Sequence, residues 1–225
     1  MGGYGTWETN HPPVPAATIP IRFSPPSAAF TVAVCFSICH HDGMNTDQPI
    51  QRCFGDLTVE IVQGDITRQP DIDAVVNAAN AQLRPGGGVA GAIHRASGPE
   101  LDRECRAHAP ITPGDAVITR AYNLPNRAVI HVLGPVYGRD KPEEELLRAC
   151  YRNALDLAER EKLTSIATPA ISTGAFGYPV EEAAGAALSE IASIGGLLTS
   201  VLLIRFVLFS RHDFEIHRSF LQKTT

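Results

Sequence analysis

Two glycine-rich stretches hold the groups best suited to chemistry. The first begins Val76-Asn77-Ala78-Ala79-Asn80 and continues Pro85-Gly86-Gly87-Gly88-Val89-Ala90-Gly91-Ala92-Ile93-His94. The second is Pro169-Ala170-Ile171-Ser172-Thr173-Gly174-Ala175-Phe176-Gly177-Tyr178-Pro179. Each follows a short apolar run that reads as a buried strand, and each opens into an alanine-rich helical stretch. Glycine lets backbone N–H groups approach a ligand closely, and a helix N-terminus favours negative charge. Two such anion traps, in a chain with few lysines, point to a ligand whose two linked phosphates are held by backbone amides.

Each side chain near these loops also has a plainer reading. Asp65 reads as a turn or N-cap aspartate, and Asn77 and Asn80 as turn residues that satisfy local backbone groups. Phe209 reads as a core residue on composition alone, and Phe176 as a loop hydrophobe plugging the core edge. His94 reads as a helix histidine that packs or caps locally, and Cys105 and Cys150 as small buried apolar residues. Asp115, His131 and Tyr178 could support the site from behind. No serine or cysteine nucleophile with a partnered histidine is evident.

The elements that must position the loops follow from periodicity. Leu57–Gln63 alternates and is β-branched, so it reads as a strand, as do Ala74–Asn77, Ala116–Thr119, Ala128–Val132, Ser165–Pro169 and Ser200–Phe209. Helices are expected over Val89–Ser97, Glu143–Lys162, Val180–Ile194 and His212–Leu221. Strands alternating with helices, several of them continuously apolar, indicate a layered α/β domain with a covered sheet. The domain is expected over residues 51–225. Residues 1–50 read as a disordered tail, or as an artefact of start assignment with Met44 the true start. Prolines crowd Pro12, Pro13, Pro15, Pro20, Pro25 and Pro26, and no period survives among them. A secretory reading of Ala28–Cys39 and a metal reading of Cys35 to His41 are both disfavoured, the second because no further ligand pair stands at finger spacing.

Composition narrows the partners. A net charge of −5 lacks the basic footprint of a nonspecific nucleic-acid binder. No apolar run approaches the roughly 20 residues that span a bilayer, so no membrane partner is expected. Five cysteines, scattered and odd in number, show no disulfide framework and suggest a cytoplasmic location. A monomer is expected. The polar groups around the loops are asparagine, aspartate and amides, so neither a metal nor another cofactor is expected.

Gly64-Asp65-Ile66, Val76-Asn77-Ala78-Ala79-Asn80, Gly86-Gly87-Gly88-Val89-Ala90-Gly91 and Ile171 to Pro179 together resemble a macrodomain, over roughly Phe54 to Leu221. The resemblance implies a three-layer α/β/α sandwich on a mixed, largely parallel sheet, with ADP-ribose and ADP-ribosylated proteins as partners. It implies that Asp65 accepts from the adenine amino group, that the Ile66 N–H helps hold the base, and that Phe209 stacks on it. By the same resemblance Asn80 points toward the distal ribose, with Asn77 beside it as a brace and ligand contact. Gly86, Gly87, Gly88 and Val89 would wrap the distal ribose and one phosphate. Ser172, Thr173, Gly174, Ala175 and Phe176 would wrap the diphosphate from the other side. Asn80, Gly87 and Phe176 are the expected catalytic positions.

One departure stands out. MacroD-type members that act on modified proteins usually carry aspartate two residues after the glycine triplet, and here that residue is Ala90. The second loop is close to the MacroD form. The resemblance therefore implies a hydrolase that removes mono-ADP-ribose from acidic side chains or deacetylates O-acetyl-ADP-ribose. Two other readings remain: a non-catalytic ADP-ribose reader, and a phosphatase acting on ADP-ribose-1″-phosphate. Nucleic acid enters only as an ADP-ribosylated substrate.

Overall fold

A computed structural model of the protein describes residues 50–224. The readings made for residues 1–49 lie outside them. The described chain runs β1 (Ile50–Phe54), β2 (Leu57–Gln63), β3 (Ala74–Ala78), α1 (Gly88–Ser97), α2 (Pro99–Cys105), β4 (Ala116–Arg120) and β5 (Ala128–Val132). It continues through α3 (Glu143–Arg160), β6 (Ser165–Thr168), α4 (Val180–Gly195), β7 (Leu203–Leu208) and α5 (Arg211–Lys223).

The strands form one sheet in the order β1-β2-β7-β6-β3-β5-β4. The five inner strands are parallel, and β1 and β4 close the two edges antiparallel. Strands β3, β5 and β6 are buried along nearly their whole length because both faces of the sheet are covered. Ala74 and Val76 of β3 face a cluster with Leu147, Tyr151, Leu188, Ile191 and Phe214 from α3, α4 and α5. Val75 faces the opposite cluster, with Ile93, Leu101 and Cys105 from α1 and α2. The expected three-layer α/β/α sandwich on a mixed, mostly parallel sheet is the observed fold.

Three details differ from the sequence reading. Strand β1 was not anticipated, and its Ile50, one residue before the expected domain start, pairs with Ile61 in the β1–β2 ladder. Helix α2 was not anticipated, being seven residues entered through Pro99 directly after Gly98. Strand β7 is shorter than Ser200–Phe209. The backbone N–H groups of Thr199, Ser200 and Val201 all donate to the Glu159 carboxylate at the end of α3, which holds that stretch outside the ladder.

Topology decides where a ligand can sit. The chain leaving β3 enters α1 on one face, and the chain leaving its neighbour β6 enters α4 on the other. Between two parallel strands whose connections diverge in this way, a crevice opens at their carboxyl ends.

Candidate functional site

The motifs singled out from sequence converge on that carboxyl edge. Asp65 and Ile66 follow β2, Phe209 follows β7, the Ser172–Phe176 loop follows β6, and Asn80 with the glycine triplet follows β3. In spatial order these are four adjacent strands. Phe176 packs against the cluster that contains Ile66, Ala79 and Leu83, so the three loop regions meet through one apolar floor.

At the β2 end, the Asp65 side chain is half exposed. Its Oδ1 accepts from the Thr67 hydroxyl at 2.7 Å and the Thr67 amide at 2.9 Å, a local turn that leaves Oδ2 facing outward near Arg68. The Thr67 hydroxyl and amide hold the Asp65 carboxyl below the usual carboxylate range, so it is ionised at neutral pH. Ile66 beside it is buried. One strand over, Phe209 is 88% exposed. Composition alone placed it in the core; it lies one residue past β7, and its ring stands free. The Gly64 N–H donates to Leu208 O at 3.0 Å, tying the Asp65 and Phe209 ends together.

The β3 loop is held by Asn80. Its Nδ2 donates to Arg84 O at 2.8 Å and its Oδ1 accepts from Arg84 N at 3.1 Å, closing a side-chain ring around Gln82 and Leu83. Gly86, Gly87 and Gly88 then run exposed into α1. Gly88 has φ +57°, a left-handed conformation that a residue without Cβ adopts at little cost. Helix α1 has neither a side-chain cap nor an acid in its first turn, so its positive end is left uncompensated. Val89 is partly buried against the α1/α2 cluster.

Asn77, expected both among the ligand contacts and as a brace, is fully buried within β3, and its Nδ2 donates to His131 Nδ1 at 3.0 Å, a bond that suits the brace.

The β6 loop is the sharper anion trap. Ser172 is buried at φ +67°, and its turn is closed by Tyr178 N donating to Ser172 O and Gly177 N donating to Gly174 O. Among the described residues, no acceptor is present for the N–H groups of Thr173, Gly174, Ala175 and Phe176. Four successive free amides form a nest for an anion. A Cβ built at Gly87 or Gly174 would meet no protein atom within 4 Å, so internal packing does not demand glycine at either place.

The family model described as Macro domain matches residues 76–187, which contain both glycine loops. The O-acetyl-ADP-ribose deacetylase of Salmonella typhimurium is 45% identical over 172 residues, covering 74% of this chain and 94% of that protein. The chain belongs to the macrodomain family. Two solved structures agree. An Oceanobacillus iheyensis macrodomain with ADP is 42% identical with a TM-score of 0.74, covering 78% of this chain and 96% of that one. A Trypanosoma brucei macrodomain in complex with ADP-ribose is 36% identical with a TM-score of 0.68, covering 72% of this chain and 68% of that one.

This macrodomain has one cleft residue that the sequence reading did not single out. Tyr137, in the loop after β5, donates its backbone N–H to Phe176 O at 2.9 Å and sets its ring edge-on to Tyr178 at 5.0 Å. The signal was present in Gly134-Pro135 following an apolar strand. Gly134 passes so close to Ser172 that a Cβ there would overlap the serine hydroxyl, which fixes the two loops of the macrodomain against each other. Ala90, at the position where the resemblance led to the expectation of an aspartate, is buried in the first turn of α1. Among the described residues no helix is long and apolar enough to cross a membrane.

Proposed function

We propose that this protein binds ADP-ribose in the carboxyl-edge cleft and hydrolyses the ester that joins ADP-ribose to an acyl group, on acidic protein side chains and in O-acetyl-ADP-ribose. The observation that carries the reading is the pairing of the two loops on adjacent strands β3 and β6. One offers an uncompensated helix end and the other four free amides. A diphosphate between them would be held without lysines, by preorganised dipoles. The outward Asp65 oxygen accepts from the adenine amino group, and the exposed Phe209 ring covers the base. A carboxylate there selects adenine over guanine, which would present a carbonyl oxygen to it.

The distal ribose lies toward Asn80, Gly87 and Phe176. The Asn80–Arg84 ring fixes the loop on which the triplet sits, so Asn80 acts by placing the sugar as well as by touching it. With alanine at residue 90, the attacking water is held by the loop backbone and a substrate phosphate. On acidic side chains its oxygen bonds to the anomeric carbon as the C–O bond to the carboxylate breaks. In O-acetyl-ADP-ribose it adds to the acetyl carbonyl and the bond to the ribose oxygen breaks. Each route releases ADP-ribose and a carboxylic acid. Names of relatives such as O-acetyl-ADP-ribose deacetylase support the reaction class. The reader alternative draws on the same cleft and on Ala90, and it differs only in the absence of turnover.

Calorimetry tests the cleft. ADP-ribose binds with micromolar affinity and AMP far more weakly, because both loops address the diphosphate and distal ribose. Equal affinity for the two ligands removes the two-loop reading.

A further inference from the structure

Behind the cleft, on the α1/α2 side of the sheet, three elements bring together side chains that the proposed reaction does not use. His94 from α1, Cys105 from α2 and His131 from β5 are all buried, and one ligand atom from each lies within 4.8 Å of the other two. Cys105 Sγ stands 3.7 Å from His131 Nε2. Tetrahedral zinc with one thiolate and imidazole ligands sets such atoms roughly 3.3–3.6 Å apart. The pair is therefore already spaced for a shared ion, and His94 needs to close by about 1 Å.

Two further observations point to a missing ligand. Neither ring nitrogen of His94 has a hydrogen-bond partner, although the residue is only 5% exposed. A buried imidazole left wholly unpaired is costly, and a native structure gives such groups a partner. Asn77 Oδ1 is also buried and unpartnered, on the far side of the His131 ring. Turning that amide over lets Oδ1 accept from His131 Nδ1–H, which directs the Nε2 lone pair into the cluster. The Thr119 hydroxyl, 2.9 Å from Nε2, keeps Arg120 O as its acceptor. A cavity of about 260 Å³ whose lining includes Pro85, His94, Gly98 and Asp102 lies beside the cluster.

We propose that His94, Cys105 and His131 form a buried site for a single thiophilic metal ion of the zinc type, pinning α1 and α2 to the sheet. The site is distinct from the cleft; its three protein ligands leave the fourth tetrahedral position to a water, and because α1 begins in the glycine triplet, fixing His94 fixes the floor of that loop. On binding, the Cys105 thiol gives its proton to solvent and the thiolate and two neutral imidazoles ligate the ion.

The test is made on the full chain carrying Cys35→Ser, Cys39→Ser and Cys53→Ser, which leaves Cys105 and Cys150 as the thiols. After chelator treatment, the protein is titrated with Co²⁺ alone. One equivalent should bind, with thiolate-to-cobalt charge-transfer absorption in the near ultraviolet and tetrahedral bands in the visible, and Zn²⁺ should displace it and raise Tm. Cys105→Ser should abolish the charge-transfer band, and His94→Gln should weaken Co²⁺ binding at least ten-fold. If Cys105→Ser does not fold, the His94→Gln titration decides. No charge-transfer band in the parent chain, or a band unchanged by the substitutions, overturns the proposal.

Discussion

The Asn80 side chain and the Arg84 backbone form a closed two-bond ring, with Nδ2 donating to Arg84 O and Oδ1 accepting from Arg84 N. The residue proposed to act on the distal ribose thus also sets the path of the chain into the glycine triplet. Asn80→Ala removes both bonds and any contact to the sugar. The turnover number should fall roughly 10–100-fold, the equivalent of one or two hydrogen bonds in the transition state, while ADP-ribose affinity falls much less. Asn80→Asp keeps the acceptor and loses the donor, and should fall between. Single-turnover kinetics beside calorimetry checks this, and equal losses in rate and affinity would make Asn80 a loop brace alone.

Asp65 is preset by its neighbour. Thr67 uses Oδ1 and leaves Oδ2 outward, so the carboxylate needs no reorganisation to accept from an amino group. Asp65→Ala should weaken ADP-ribose binding by about 1.5–3 kcal/mol, the range for a hydrogen bond to a charged group. Thr67→Val, which removes one of the two bonds that orient the carboxylate, should weaken it by less. Unchanged affinity in Asp65→Ala would show the aspartate to be a turn residue only.

Much of the fold was legible because the inner strands are short apolar runs and the long helices repeat. Leu57–Gln63 and Ala128–Val132 are observed with the bounds that alternation and apolarity gave them. Strand β1 was not legible: Gln51 and Arg52 interrupt it, and an antiparallel edge strand needs only Ile50 and Phe54 against the core. Helix α2 was hidden by Pro99 and its shortness. The start of β7 was misread because the Glu159 carboxylate, forty residues upstream of Thr199, takes the amides that would otherwise enter the ladder.

In the cleft, the glycine loops could be read locally because glycine and turn chemistry are encoded within a few residues. The contacts that join separate elements could not. Tyr137 against Phe176, Gly134 against Ser172, and Asn77 against His131 each depend on how β3, β5 and β6 are ordered in space, which no single stretch of sequence states.

Acid should destabilise the domain through His217. This histidine is fully buried beside Phe206, donating Nδ1–H to Asp213 O at 2.8 Å. Burial pushes its pKa below the ordinary 6.5, outweighing that carbonyl and the Asp213 charge. The unfolded chain therefore binds the proton more readily than the folded one. Stability from this group is complete above the unfolded pKa and is lost as pH falls below it toward the folded value. Tm should drop between neutral pH and about pH 5, and His217→Phe should flatten that slope. A slope unaltered by the substitution would place the acid sensitivity elsewhere.

The N-terminal boundary can be tested by truncation. Residues 1–43 lack the apolar period needed to offset the entropy of ordering them, so removing them should leave Tm and ADP-ribose affinity intact. Removal through Phe54 deletes β1, whose Ile50 and Phe54 pack on the core, and should lower Tm by several degrees. A large loss in the shorter truncation would show that the domain extends into those residues.

The reaction itself is decided by incubating the protein with an acceptor that carries mono-ADP-ribose on aspartate or glutamate and following free ADP-ribose over time. Slow, catalytic release is expected, with little from arginine-linked ADP-ribose, since a carboxylate leaves readily whereas a guanidine leaves only when a general acid protonates it. Tight binding of ADP-ribose with no release from the ester would contradict hydrolysis and make the protein a reader of the modification.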